Sequence, residues 1–231
     1  MVMLGHLFFG TLLPPAAYAW MPRVLREVIG HGWLGVDLFF VLSGFLITGI
    51  LIDSRESAHY FRDFYARRVL RIFPLYAACI LVYFLAYPHS GAYFALALLF
   101  LANFAGAFGV AWPHGPGVFW SLAVEEHFYL VWPLLVRVLT RSRLLALTLL
   151  VVFGTPVLRG VCTWWGMDAE FQIYPYSFFR FDGLALGAIL AMWVRSRFFT
   201  RQHAWTLAVT LVGLSILVTV AGLPFGILQT K

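Results

Sequence analysis

The chain has 231 residues, of which 62% are hydrophobic and only 11% are charged. Soluble domains are about 45–50% apolar and about 25% charged, so this composition excludes an ordinary soluble globular protein, and it equally excludes a disordered chain or a disulfide-stapled scaffold. The net charge of +6 comes from arginines, most of which stand between apolar stretches. Arginines in the connections between apolar segments are typical of the cytoplasmic loops of membrane proteins. We therefore expect the lipid bilayer as a partner and no nucleic acid.

The apolar stretches predict an all-α fold, a polytopic transmembrane helix bundle with about seven spans in a single domain over residues 1–231. A helix needs about 20 apolar residues to cross about 30 Å of hydrocarbon. Segment 1–13 is shorter than this and is typical of the second half of a transmembrane helix. The other predicted spans are residues 33–52, 72–88, 117–139, 144–162, 177–194 and 204–224.

The apolar stretch 92–112 decides the predicted topology, because a full crossing would place one arginine-rich loop opposite the other two. It contains Asn103, Gly106 and Gly109, which suit a re-entrant or broken segment buried in protein. We therefore expect it not to cross, and the alternative is an ordinary span with a weaker charge bias. With this choice 11 arginines lie on the cytoplasmic side and three lie outside, the outer ones being Arg23, Arg26 and Arg159.

Ionisable side chains inside the predicted spans mark the candidate functional region, because each costs about 2.5–3.5 kcal/mol to insert. The main residues of this kind are His6, Asp37, Glu125, Glu126, His127, Arg180 and Asp182. Ser121 lies one helical turn before Glu125 on the same face, as expected for a pair that positions a substrate. For Arg180 a second interpretation stays open, in which it pairs with Asp37 or a nearby glutamate and fixes helix packing. We expect His127 to be interfacial or solvated.

Two arginines in the connection between the second and third segments form a candidate anion site. Arg68 and Arg71 are three residues apart, so both guanidinium groups lie on one helical face, at the cytoplasmic mouth of the next span, where they can hold a polyphosphate. The alternative is an interfacial amphipathic helix on an anionic lipid surface. The sequence contains no common catalytic signature and no cluster of metal ligands, so no metal is expected.

Four ordered blocks carry a resemblance to a known family. They read GWLGVDLFFVLSGFLIT at 32–48, FYARRVLRIFPLY at 64–76, FWSLAVEEHFYLVWP at 119–133 and, more weakly, FDGLALG at 181–187. Together they resemble the integral-membrane acyltransferase family 3, whose members O-acylate sugars and other acceptors. The resemblance implies an enzyme that takes an acyl group, commonly acetyl, from acyl-CoA on the cytoplasmic side and delivers it to a hydroxyl of an extracytoplasmic glycan or small acceptor. Acyl-CoA is then a co-substrate, no cofactor is bound, and the location is the bacterial cytoplasmic membrane.

The resemblance also implies roles for individual residues. The R-x-x-R element of the family matches Arg68 and Arg71 as acyl-CoA ligands, and its S-x-x-x-E element matches Ser121 and Glu125. The histidine of its first helix matches His6. We expect His6 to deprotonate the acceptor hydroxyl while Glu125 orients the imidazole or the acceptor, and a transient acyl group on His6 is an equally open variant. Substrate-positioning roles are expected for Ser121, Asp37, Arg180 and Asp182.

Two departures from the family pattern lead to further expectations. The basic residue that precedes the family histidine would lie before Met1, and the chain has fewer spans than the family, so we expect it to be incomplete at both ends. The alternatives to an active enzyme are a membrane transporter or flippase and a catalytically inactive remnant. Gly183 and Gly187 permit close helix packing within the chain or between chains, so the sequence does not determine the oligomeric state.

Overall fold

The computed structural model of the chain describes residues 34–113, 119–168, 172–200, 202, 203, 205, 206 and 210. Over these residues the regular secondary structure is helical and contains no strand, which confirms the all-α prediction. The predicted segment 1–13 and its His6 lie outside the described residues, as does most of segment 204–224. The α-helices are α1 (Leu34–Asp53), α2 (Tyr60–Ala86), α3 (Gly91–Leu98), α4 (Phe119–Val138), α5 (Arg141–Trp164) and α6 (Phe181–Val194).

Three of these helices, α1 from Gly35, α2 and α5, are long and apolar enough to cross a membrane, and the described part of the chain holds up to four such spans if a bent pair counts as one. The chain is thus an integral membrane protein. The span predicted at 177–194 is shorter as a helix, because a 3-10 turn at Ser177–Phe179 precedes the 14 residues of α6.

The segment predicted to be broken is indeed bent. Helical residues Pro88–Leu98 and the 3-10 helix Ala102–Phe108 meet at an angle of 114°. Phe100 at the bend has a φ of 57°, an unusual value for a residue other than glycine, and its ring stacks on Tyr76 at 4.6 Å. The Tyr76 hydroxyl donates to the Ala97 carbonyl oxygen at 2.7 Å. The bend is therefore held by α2 inside the protein, which is where irregular backbone is tolerated at membrane depth.

Helices α1 and α6 approach each other at glycines. A Cβ atom at Gly44 would lie 2.0 Å from the Leu184 carbonyl oxygen, and one at Gly187 would lie 2.0 Å from the Val41 carbonyl oxygen. Both glycines are therefore required for backbone contact between the helices. Of the two uses predicted for the Gly183 and Gly187 face, the structure shows packing within the chain.

The chain divides into two compact units. Residues Val36–Met192 form the larger one, and it contains all of the geometry described in the next section. In the other unit, the Trp193 ring packs edge to face on Phe199 at 5.2 Å and lies 6.0 Å from the His203 ring.

Candidate active site

A buried polar cluster joins α1, α2 and α4. It consists of Ser43 on α1, Arg68 on α2, and Glu125 and Tyr129 on α4. The hydroxyl groups of Ser43 and Tyr129 form a hydrogen bond with each other, and both lie within hydrogen-bonding reach of the Glu125 carboxyl group. The guanidinium carbon of Arg68 lies 3.9 Å from the centre of the Tyr129 ring. The cluster thus brings together Arg68 and Glu125, which come from two separate sequence motifs.

The carboxyl group of Glu125 is only partly satisfied in this cluster. The residue is 3% exposed, and its Oε1 atom has no hydrogen-bond partner. The neighbouring Glu126 also has a buried Oε1 atom without a hydrogen-bond partner. The positive charge of Arg68 interacts electrostatically with both carboxyl groups. Because an unpaired buried oxygen atom costs about 1–3 kcal/mol, Glu125 Oε1 is the kind of atom that a substrate or a further catalytic group would satisfy.

Sequence analysis missed two members of this cluster, Ser43 and Tyr129. Tyr129 was within reach of sequence reasoning, because Ser121, Glu125 and Tyr129 are spaced four residues apart and lie on one face of α4. Ser43 gave no such signal, since a serine in an apolar helix often bonds its own backbone. The sequence-based topology also placed Arg68 and Glu125 at different depths. Helix α2 begins at Tyr60, so Arg68 lies inside this helix and not in a connection before it, and its guanidinium group contacts the Tyr129 ring.

The predicted anion site has a cavity of about 140 Å³ at its centre. Arg68 and Arg71 both line it, as predicted, together with Arg67, which the sequence analysis did not single out. Ser54 and Ser57 add hydroxyl groups to the walls. Drug-sized ligands occupy cavities of about 300–1,000 Å³, so this one has room for a phosphate group rather than for a whole nucleotide.

Arg180 lies in a cage of aromatic rings and is paired with Asp37. Its Nη2 atom is 3.1 Å from Asp37 Oδ1, and its guanidinium carbon lies 4.4 Å from the Tyr174 ring centre and 5.6 Å from that of Trp120. Burial raises the pKa of the Tyr174 hydroxyl. The open alternative for Arg180, a pair with Asp37 that fixes packing, is the arrangement that the structure contains. The Asp37 side chain nevertheless remains 41% exposed, so it also stays accessible to a ligand.

Asp182 forms a separate ion pair with Arg159. The Arg159 Nη2 atom is 2.6 Å from Asp182 Oδ2, and its Nη1 atom donates to the Phe179 carbonyl oxygen at 3.1 Å. The other carboxylate oxygen of Asp182 accepts the Gly183 backbone N–H at 3.0 Å. These contacts tie α5 to α6 and use both oxygen atoms of Asp182, so its predicted role in positioning a substrate receives no added support.

Ser121 is half-buried and lies one turn before Glu125 on α4, in the register that the motif requires. His6 lies outside the described residues. The roles predicted for these two residues stay predictions.

His127 belongs to a hydrogen-bond network that the sequence did not indicate. Its ring is half-buried, and its Nδ1 atom is 2.6 Å from the Ser177 hydroxyl oxygen. Asn103 donates to the same oxygen at 2.8 Å and to the Pro175 carbonyl oxygen at 3.3 Å. The network links the broken segment, α4 and the turn before α6. These hydrogen bonds satisfy the polar atoms of the partly buried imidazole. The partners come from distant parts of the sequence, so no local pattern indicates them.

Comparison with known proteins identifies the family. The family model described as an acyltransferase domain matches residues 1–229. The chain belongs to this acyltransferase family. The match confirms the resemblance drawn from the four sequence blocks, and the membrane-spanning helices are those of a membrane protein of this family.

The chain is similar in sequence to several proteins, and three of them show how much of the chain is shared. An uncharacterised protein of Haemophilus influenzae is 33% identical over 181 residues, which are 68% of this chain and 74% of that protein. YrhL of Bacillus subtilis is 32% identical over 185 residues, which are 70% of this chain and 29% of YrhL. The peptidoglycan O-acetyltransferase OatA of Listeria monocytogenes is 29% identical over 192 residues, or 72% of this chain and 30% of OatA. The chain thus spans under a third of the length of YrhL and OatA. No solved structure matches it.

Proposed function

We propose that the chain transfers an acyl group, acetyl being the first choice, from acyl-CoA to a hydroxyl of an extracytoplasmic glycan or small acceptor. One observation carries the proposal: Arg68 of the R-x-x-R element stacks on Tyr129, which lies beside Glu125 of the S-x-x-x-E element. A donor-binding arginine and a candidate catalytic carboxylate in one cluster are what acyl transfer between two substrates requires. The name of the Listeria relative, a peptidoglycan O-acetyltransferase, supports an O-linked acceptor.

The donor end of the site is the cavity with Arg67, Arg68 and Arg71. Arginine holds phosphate through paired N–H donors, and three such side chains supply more positive charge than the single Asp63 in the same cavity removes. Its size suits one phosphate group of CoA. By the positive-inside rule, the arginine-rich side of the protein faces the cytoplasm, which is the compartment that contains acyl-CoA. This orientation fits a location in the bacterial cytoplasmic membrane.

The transfer step needs a base and a group that holds the acceptor. In the proposed step the acceptor oxygen bonds to the thioester carbonyl carbon, the CoA thiolate leaves, and the acceptor proton passes to His6. The unpaired Oε1 of Glu125 is the atom that would orient either the imidazole or the acceptor. The variant in which His6 itself carries the acyl group for a time stays open.

Membranes that contain the full chain and radiolabelled acetyl-CoA provide the test. We expect label in a glycan or lipid fraction with the unaltered chain, and loss of that label in Glu125→Gln. Glu56→Gln is the matched control, because Glu56 is an exposed acid in the loop between α1 and α2. Equal labelling in the two variants would remove Glu125 from the mechanism. Acceptor export that depends on Glu125 without any acyl transfer would favour the transporter alternative. Absence of both acyl transfer and export in the unaltered chain would favour the inactive remnant.

A further inference from the structure

A second cavity lies on the other side of α4, between α4, α5 and α6. Its volume is about 330 Å³. We call it the α4–α6 groove. It begins beside His127, and its side walls include Val131, Leu135, Leu147, Val151, Phe181 and Ala185.

The walls of the groove determine what can fill it. Apart from His127, the lining residues are apolar, so a water molecule in the groove would lack the two to four polar partners that it needs. Two of its lining residues, Leu130 and Val131, are 68% and 51% exposed, so the groove opens on the outer surface of the helices. The occupant that the bilayer supplies at such an opening is an alkyl chain.

The length of the groove matches one leaflet of the bilayer. His127 and Leu135 mark its ends on α4, and eight residues of helix at about 1.5 Å each span about 12 Å. Half of a hydrocarbon core of about 30 Å is about 15 Å. A chain that enters at the Leu135 end therefore reaches from the interface to the middle of the membrane.

Helix register and the short connection between α4 and α5 predict a positive charge near the Leu135 end of the groove. Arg143, Leu147 and Val151 are spaced four residues apart on α5, so they lie along one face of the helix, and the last two line the groove. Arg143 is exposed, two residues after the start of α5 and near the end of α4 in the chain. A phosphate at this level would complement its charge.

We propose that the α4–α6 groove binds one alkyl chain of an anionic phospholipid, with the phosphate of that lipid at Arg143. The site is separate from the Arg68 and Glu125 cluster, because it lies on the opposite side of α4, and it does not depend on the proposed acyl transfer.

The test uses the full chain in nanodiscs doped with phosphatidylglycerol that carries a diazirine in its acyl chain. After irradiation, mass spectrometry maps the labelled residues. We expect label concentrated on the groove walls of α4 and α5, and at least a fivefold loss in Val151→Phe, which fills the groove. Val157→Phe on the same helix is the matched control, because Val157 is exposed and outside the groove, and it should label like the unaltered chain.

A second arm tests the head group. With the same diazirine chain on phosphatidylcholine, groove labelling should fall several-fold, and Arg143→Gln should bring the two lipids to the same level. Equal labelling by both lipids in the unaltered chain would overturn the role of Arg143. Label spread evenly over exposed residues such as Leu150 and Phe153, or unchanged in Val151→Phe, would overturn the groove as a site. These readouts are independent of enzyme activity.

Discussion

Glu125 and Asp182 are both acids within apolar helices with an arginine beside them, but their surroundings differ. Asp182 uses one oxygen for Arg159 and the other for a backbone N–H, so the pair is closed. Glu125 is more deeply buried, and one of its oxygen atoms has no partner. A closed pair fixes helix packing, whereas an open carboxylate keeps hydrogen-bonding capacity for a ligand. Under the proposed function, the number of satisfied oxygen atoms therefore distinguishes the acid assigned to the reaction from the acid assigned to helix packing.

The largest expected effect is on catalysis. Glu125→Gln keeps the size of the side chain and removes its carboxyl group, and we expect kcat for acetyl transfer to fall by about 10²–10⁴-fold while the protein stays folded. Steady-state kinetics and unfolding in mixed micelles measure the two quantities. Full activity in this variant would show that the unpaired oxygen atom of Glu125 does not mark a catalytic residue.

The close approach of α1 to α6 gives the largest expected effect on stability. Gly44→Ala places a Cβ atom against the Leu184 backbone, so we expect a loss of about 3 kcal/mol or more in the free energy of unfolding. Gly154→Ala is the control, because no atom lies within 4 Å of the place that its added Cβ atom would take, and it should be neutral or stabilising by up to about 1 kcal/mol. Equal stability of the two variants would mean that α1 and α6 do not touch at these glycines.

The closed pair should behave as a structural feature. We expect Asp182→Asn to lower the free energy of unfolding by about 1.5–3 kcal/mol, because hydrogen bonds to a charged partner are lost. The activity per folded molecule should stay unchanged. Replacement of both partners, in Arg159→Met with Asp182→Leu, should restore part of the stability, since the double variant leaves no arginine without its partner. A fall in kcat at full stability would make Asp182 a functional acid after all.

The smallest expected effect concerns the donor. Arg68→Lys keeps the charge but loses the flat guanidinium group that stacks on Tyr129, and we expect KM for acetyl-CoA to rise about tenfold. Arg62→Lys, at an exposed position on the same helix, should leave KM unchanged. An unchanged KM in Arg68→Lys would separate Arg68 from donor binding.

Much of this fold could be predicted because its signals are local. The lengths of the apolar stretches predicted α1, α5 and the part of α2 from Ile72 onward, and the glycines and Asn103 predicted the broken segment. The site was only partly predictable, because its contacts are not local. Arg68 lies 61 residues before Tyr129, and no spacing rule connects them. The hydrogen bond of His127 could not be predicted for the same reason, since its partner Ser177 is 50 residues away. The role of His6 stays a prediction.

The coupling between Arg68 and Glu125 is the most direct measure of whether they act as one site. A double-mutant cycle compares kcat/KM for acetyl transfer in Arg68→Lys, Glu125→Gln and the double variant. If the residues form one cluster, Arg68→Lys should lower kcat/KM about tenfold in the unaltered chain and less than about twofold in the Glu125→Gln background. The same tenfold loss in both backgrounds would contradict a shared site and leave two independent motifs.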